Sequence, residues 1–271
     1  MKKLCNHIGL DIGSTTLKIV LLDQDAKVLF AKYERHRSRA REKTLELLQE
    51  AALYRTAPEC TLTVSGSGSL GLSEQAGIPF VQEVFATKTA CASLLPDVDV
   101  VIELGGEDAK ILFLTGAHEE RMNGTCAGGT GAFIDQMATL LSMTTEELDQ
   151  AYFHHQNIYH IASRCGVFAK SDIQPLINQG ASKEDLAASI YEAIVNQTIS
   201  GLAQGRPIRG KVAFLGGPLT FLKGLQDRFV QVLGLTDENA FFPKMSQYFV
   251  AIGAASVGST RPPETIEQWM E

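Results

Sequence analysis

Short apolar blocks separated by turn residues open the chain. Ile8 to Asp11, Leu17 to Asp23 and Lys27 to Tyr33 predict three successive strands, because blocks of this length rich in Ile, Val and Leu suit a buried pleated surface. Asp11-Ile-Gly-Ser-Thr-Thr16 makes the first turn and Asp23-Gln-Asp-Ala26 the second, Gly, Ser and Asp being residues that favour tight turns. From Glu42 to Tyr54 the apolar positions Leu45, Leu48, Ala52 and Leu53 fall at helical spacing. Thr61 to Val64, Phe80 to Val84 and Val98 to Leu104 predict further strands, alternating with shorter helical stretches. Gly131 to Leu141 gathers Phe133, Ile134, Met137, Leu140 and Leu141 on one helix face. Ser182-Lys-Glu-Asp185 reads as a capping box opening a helix with a core face of Leu186, Ile190, Ile194 and Ile199. Val212 to Leu215 predicts a strand running into Gly216-Gly-Pro218, and Val250 to Val257 a last, small-residue helix. The tail from Arg261 to Glu271 is expected to be loosely attached.

Within this pattern one segment returns. Asp11-Ile-Gly-Ser-Thr-Thr-Leu-Lys18 is echoed 92 positions on (103 minus 11) by Glu103-Leu-Gly-Gly-Glu-Asp-Ala-Lys110. The echo again precedes a strand, Ile111 to Leu114, that ends in a turn at Thr115-Gly-Ala. Duplicated halves place two acidic strand ends facing each other across a cleft. A chain of 271 residues also suits two packed lobes better than one core. The expected partition is 1–98, 99–258 and a tail of 259–271.

Composition removes several functions. With 24 Lys and Arg against 31 Asp and Glu the net charge is -7, which argues against a nucleic-acid partner. The one basic run, His36 to Lys43, is broken by Ser38, Ala40 and Glu42 and reads as a solvated loop and helix start. No stretch approaches the roughly 20 apolar residues of a membrane span. The start Met1-Lys-Lys-Leu-Cys-Asn6 lacks the apolar core of a signal peptide, so no membrane and a cytoplasmic location are expected. Five scattered cysteines do not suggest a disulfide framework. Cys5, Cys60 and Cys91 lie among apolar residues and read as core fillers. His154, His155 and His160 read as surface histidines.

The remaining motifs carry chemistry. Asp11 offers a strand-end carboxylate for a hydrated Mg²⁺, and Gly13, Ser14, Thr15 and Thr16 offer N–H and O–H groups to phosphate oxygens, with Lys18 as an added cation. The echo at Glu103-Leu-Gly105-Gly106-Glu-Asp108 and the pair Gly216-Gly217 favour nucleotide binding over an ordinary Ser- and Thr-rich hairpin turn. Gly66-Ser-Gly-Ser-Leu-Gly71 matches the dinucleotide fingerprint. Too few residues follow before Ala76-Gly-Ile-Pro79 to close a βαβ unit, so it reads as a connecting turn near the lobe hinge.

Cys126 lies in Asn123-Gly-Thr-Cys-Ala-Gly-Gly-Thr-Gly-Ala-Phe133, and Cys165 in Ser163-Arg-Cys-Gly-Val-Phe-Ala-Lys-Ser-Asp172. Neighbouring glycines let backbone N–H groups approach a thiolate or a metal–sulfide core. A cysteine just before a helix has its thiolate stabilised, which suits a redox nucleophile and a metal ligand equally, while a buried structural cysteine is the plainer alternative. Two thiolates cannot complete a four-cysteine site, so the metal reading requires a second copy of the chain.

These residues closely resemble the BadF/BadG/BcrA/BcrD ATPase family, which activates (R)-2-hydroxyacyl-CoA dehydratases as component A and includes subunits of benzoyl-CoA reductase. The resemblance runs from Ile8 to about Gly258 and is most specific at Cys126-Ala-Gly-Gly-Thr-Gly and Cys165-Gly-Val-Phe-Ala. It implies an α/β, two-lobed, duplicated fold of the actin, hexokinase and Hsp70 (ASKHA) type. It implies that Cys126 and Cys165 from each chain of a homodimer hold one shared four-iron four-sulfur (4Fe-4S) cluster. ATP binding and hydrolysis to ADP would then drive a low-potential electron to a 2-hydroxyacyl-CoA dehydratase-like acceptor, with reduced ferredoxin or flavodoxin as donor. By the same resemblance Asp11 and Glu103 manage Mg²⁺ and the attacking water. Ser14, Thr15, Gly105 and Gly106 hold phosphates together with Gly13, Thr16, Lys18 and Asp108, and Gly216 and Gly217 line the adenosine side. Glu103 stands where the activators usually carry Asp, and Gly124-Thr125 and Lys170 replace the usual acidic and basic residues beside the cysteines. The stretches Cys165 to Pro175 and Asn196 to Gly205 resemble the activator-like domains at the front of very long fused proteins, so an excised domain is expected. Two rivals remain: a small-molecule (sugar or acyl) kinase of the same fold, which needs a general base, and a nucleotide-sensing module whose cysteines are structural.

Overall fold

A computed structural model describes residues 5–123, 128–162 and 166–269. Contacts divide the chain into two units, Asp97–Ser246 and a discontinuous one made of Met1–Pro96 with Gln247–Glu271.

The discontinuous unit begins with β1 (Cys5–Ile12), β2 (Thr16–Leu22) and β3 (Val28–Arg35), followed by α1 (Ala40–Ala52), β4 (Glu59–Ser65), α2 (Leu70–Ala76) and α3 (Glu83–Leu94). β1 and β2 are buried along most of their length because both faces of their sheet are covered. α1 packs on β2 and β3, while the last helix of the chain packs on β1, β2 and β4. Ile8, Leu10, Leu17, Ile19 and Leu21 are fully buried there. β3, at the sheet edge, is half-buried along its length and carries Lys32, Glu34 and Arg35, charges that discourage further strand pairing.

The Asp97–Ser246 unit repeats the start of this scheme. It contains β5 (Val100–Leu104), β6 (Ala109–Phe113), β7 (Glu119–Met122), α4 (Gly131–Leu140), α5 (Thr145–Tyr152), α6 (Gly166–Asn178) and α7 (Lys183–Thr198), then β8 (Val212–Leu215), α8 (Gly217–Phe221), α9 (Lys223–Leu233) and β9 (Ala240–Phe241). Its sheet runs β7-β6-β5-β8-β9. β5 pairs antiparallel with β6 and parallel with β8, just as β1 pairs antiparallel with β2 and parallel with β4. The chain then returns to the first unit through α10 (Phe249–Gly258) and β10 (Glu264–Thr265). Among the described residues no helix is long and apolar enough to cross a membrane.

Several expectations change. Residues 247–258 pack with the first unit, not with the expected 99–258 lobe, because α10 lies against β1 and α3. The tail is not loose: β10 pairs antiparallel with β4 and Ile266 is fully buried, so an apolar anchor and an added strand cover the edge of β4. The strand expected at Phe80 to Val84 is reduced to a single bridge from Phe80 to Val64. Glu83 already starts α3, whose buried face is the small-residue set Ala86, Thr87, Ala90 and Cys91. Ser182 caps α7 through its hydroxyl, 3.1 Å from the Asp185 N–H. The Asp185 carboxylate does not reach back, because it accepts from the N–H groups of Asn157 (2.9 Å) and Gln156 (2.7 Å), which hold its carboxyl below the usual carboxylate range. The closed capping box belongs instead to Thr144 and Glu147 at the start of α5.

The small face of α3 has a counterpart on α10. A Cβ on Gly253 would fall on the Ala86 carbonyl, and one on Gly9 would fall on the Ala251 carbonyl. Gly253→Val is therefore expected to destabilise the first unit by about 3 kcal/mol, the upper end for overpacking. A melting temperature unchanged from wild type would contradict this close approach.

Candidate nucleotide site

Two hairpins hold most of the candidate site residues, one in each unit. In the first, Asp11 near the end of β1 lies opposite Lys18 of β2, with Lys18 Nζ 2.9 Å from its carboxylate. The Gly13 N–H donates to the Thr16 carbonyl at 3.0 Å and closes the turn. In the second, Glu103 of β5 lies opposite Lys110 of β6, and the Gly105 N–H donates to the Asp108 carbonyl at 2.7 Å. The echo seen in the sequence is thus a repeat of register, turn bond and charge pairing. Asp11 is 5% exposed and Glu103 8%, and a charge that deeply placed needs a partner. The pairing is not identical, however. Lys110 Nζ sits 2.8 Å from Asp108 and 3.6 Å from Glu103, so the longer glutamate is tied to its lysine less closely than Asp11 is.

Each hairpin is braced by the residue that follows the third strand of its unit. After β3, the His36 N–H donates to the Thr15 carbonyl at 3.2 Å and its ring Nε2 lies 3.0 Å from the Gly13 carbonyl. A carbonyl can only accept, so Nε2 carries the proton. The chain leaves His36 through Arg37 and Ser38, both at positive φ (47° and 62°), and the Arg39 N–H closes that turn on the His36 carbonyl at 2.8 Å. Two non-glycine residues in the left-handed region are costly enough to mark a constrained turn. The run from His36, expected to be solvated, therefore begins with a buried residue that holds the first hairpin. After β7, Asn123 does the same for the second hairpin. Its Oδ1 accepts from the Ala109 N–H at 2.7 Å, its N–H donates to the Ala109 carbonyl at 3.0 Å, and its Nδ2 donates to the Glu107 carbonyl at 3.4 Å.

A glycine turn abuts each hairpin from the parallel strand. Gly66, after β4, has φ 95°, and a Cβ there would fall on the Ile12 carbonyl and lie 2.6 Å from Asp11 Oδ1. Gly216, after β8, has φ 92°, and a Cβ there would fall on the Leu104 carbonyl. Ile12 and Leu104 are separated by the same 92 positions (104 minus 12), so Gly66 is the counterpart of Gly216. The Gly66–Gly71 motif is not only the connecting turn expected: Ser67–Ser69 form a 3-10 turn and Leu70 and Gly71 already belong to α2, and the turn at Gly66 is placed against the phosphate-loop candidate. Gly217 opens α8 and is buried.

Cys126 and Cys165 lie outside the described residues. α6 begins at Gly166, directly after Cys165. Beyond Cys126, a Cβ on Gly128 would lie 3.2 Å from both amide atoms of Gln197 in α7, a tight contact, and Gly129 has φ 83°, a conformation that favours glycine. Among the described residues no three His, Cys, Asp or Glu side chains come together to hold a metal ion. His154 and His160 are exposed, and His155 hydrogen-bonds the Tyr152 carbonyl through Nδ1. Cys60 and Cys91 are buried, whereas Cys5 is only half-buried.

Two sheets of the same design, each with an acid and a lysine paired across a hairpin, define the duplicated actin/hexokinase-like fold. Within that class the chain belongs to the BadF/BadG/BcrA/BcrD ATPase family, whose sequence profile matches residues 8–258. It is 28% identical over 256 residues to the (R)-2-hydroxyglutaryl-CoA dehydratase activating ATPase of Acidaminococcus fermentans, covering 92% of this chain and 95% of that protein. The crystal structure of component A of the dehydratase from the same organism superposes with a TM-score of 0.83 at 24% identity, covering 94% of this chain and 98% of the other. The activator of the 2-hydroxyisocaproyl-CoA dehydratase from Clostridium difficile, solved with bound ADPNP, superposes with a TM-score of 0.80 at 26% identity, covering 94% of each chain.

Proposed function

We propose that this chain is an ATP-hydrolysing activator that delivers low-potential electrons to a 2-hydroxyacyl-CoA dehydratase-like partner. The observation that carries the reading is the paired hairpin design, Asp11 with Lys18 and Glu103 with Lys110. Phosphoryl transfer needs positioning and charge stabilisation more than covalent help from the protein. Gly13, Ser14, Thr15 and Thr16 of the first hairpin and Gly105, Gly106 and Asp108 of the second would hold phosphate oxygens, with Gly216 and Gly217 along the adenosine. Lys18 adds positive charge beside the phosphates. Hydrated Mg²⁺ fits this set, since it is commonly held by one or two carboxylates plus phosphates rather than by a cage of side chains. Asp11 would orient it through water, and Glu103 would orient the attacking water.

The donor set also suits an iron–sulfur group. Cys126 and Cys165 are thiolate donors within two residues of glycines, and a Cβ at Gly128 would crowd the Gln197 amide. Four such donors require two chains, hence a homodimer. A 4Fe-4S cluster held by those four cysteines would supply one-electron transfer at low potential. Reduced ferredoxin or flavodoxin is the donor class that matches that potential, and the cytoplasm is the compartment that holds such donors.

The test is anaerobic purification followed by ATP-dependent reduction of a 2-hydroxyacyl-CoA dehydratase component from reduced ferredoxin. Electron delivery is expected to require ATP and to stop with ADP. Electron delivery at the same rate with and without ATP, or iron-free protein that phosphorylates a sugar or acyl substrate, would sink the reading.

A further inference from the structure

The segment carrying Cys126 leaves and re-enters the described structure on the second hairpin. On its N-terminal side Asn123 is hydrogen-bonded to both backbone groups of Ala109 and to the Glu107 carbonyl. On its C-terminal side the Gly131 N–H donates to the Gly105 carbonyl at 3.0 Å, and the Ala132 N–H donates to the Gly106 carbonyl at 2.8 Å. These are the first two N–H groups of α4, which have no partner inside their own helix. The turn 105–108 thus accepts hydrogen bonds from both flanks of the cysteine segment.

A peptide plane is rigid, so the carbonyl of one residue and the N–H of the next turn together. If the N–H groups of Gly106, Glu107 and Asp108 rotate toward or away from a phosphate, the carbonyls of Gly105, Gly106 and Glu107 rotate with them. Those three carbonyls hold Gly131, Ala132 and Asn123. The first hairpin has the same brace, but behind His36 the chain turns at Arg37 and Ser38 into α1 and carries no cysteine segment. Only the second hairpin, of the two, is hydrogen-bonded to the flanks of a cysteine segment.

We propose that Asn123 is a positioning residue that couples phosphate occupancy of the turn 105–108 to the segment bearing Cys126. The inference rests on the reading of that turn as a phosphate loop. Asn123 is the side chain in this linkage that can be changed without touching the turn itself.

Hydrogen–deuterium exchange of the full-length chain, read by mass spectrometry without nucleotide, with ADP and with ADPNP, tests it. Peptides covering 11–18 and 105–110 are expected to gain protection with either nucleotide. The peptide covering 124–132 is expected to exchange at rates differing at least about fivefold between ADP and ADPNP, the lower end of ordinary coupling. Asn123→Ala should diminish that difference while 11–18 stays protected. Asn123→Asp, which keeps an oxygen to accept from the Ala109 N–H but has no donor for the Glu107 carbonyl, should diminish it as well. Absence of protection at both hairpins overturns the phosphate-loop reading and this inference with it. Protection at the hairpins without an ADP–ADPNP difference at 124–132 overturns the inference alone. So does an undiminished difference in either Asn123→Ala or Asn123→Asp.

Discussion

Asp11→Asn is expected to lower ATP hydrolysis at least about a hundredfold, as loss of a metal-positioning carboxylate commonly does. Asparagine keeps the shape of the side chain at the end of β1 and leaves the Gly13 to Thr16 turn bond in place, so the hairpin should still form. What goes is the charge that faces Lys18 at 2.9 Å and that would orient the hydrated metal. Lys18 loses that carboxylate, and a stability decrease of about 1–3 kcal/mol is the expected side effect. Turnover and melting temperature, measured on the same preparation, separate the two. Near-normal hydrolysis by a well-folded variant would contradict the role given to Asp11.

Cys126→Ser and Cys165→Ser are each expected to remove the iron altogether and to weaken the dimer. If one cluster lies on a two-fold axis, iron should stand at about two per chain, half of what a private cluster would give. Symmetry doubles each substitution, so a single change deletes two of the four thiolates. Metal binding between chains is also association energy, and losing one loses the other. Iron and sulfide analysis with sedimentation of wild type and both variants is the measurement. An iron-loaded monomer, or an intact cluster in either variant, would overturn the bridging arrangement.

The elements that local pattern could reveal were those whose packing follows from their own residues. β1 and β2 carry apolar blocks buried in their sheet, and the Asp11-to-Lys18 echo at Glu103 to Lys110 forms two hairpins of matching register. The misreadings share a cause, contacts made far along the chain. Phe80 to Val84 has strand-like residues, yet α3 starts at Glu83 because its small face meets the small face of α10. The tail is polar and rich in Pro in sequence, yet Ile266 and β10 cover the edge of β4. His36 and Asn123 are single polar residues after strands, and in a sequence they look like any turn residue. Their role lies in hydrogen bonds to hairpins 20 or more positions upstream for His36 and 14 to 16 for Asn123. Gly66 was hidden by its likeness to a different motif, and only the matching position of Gly216 reveals what it abuts.

The discontinuity of the first unit sets an order on synthesis. Residues 97–246 are contiguous and can gather their own sheet as they emerge. β1, by contrast, must wait for α10, some 240 positions later, before the strand face around Gly9 is covered. Closing so long a loop is slow, and uncovered apolar strands attract wrong partners in the interval. The same close glycine contacts that fix α10 on β1 and α3 therefore make the nascent first unit dependent on shelter until the last helix is made.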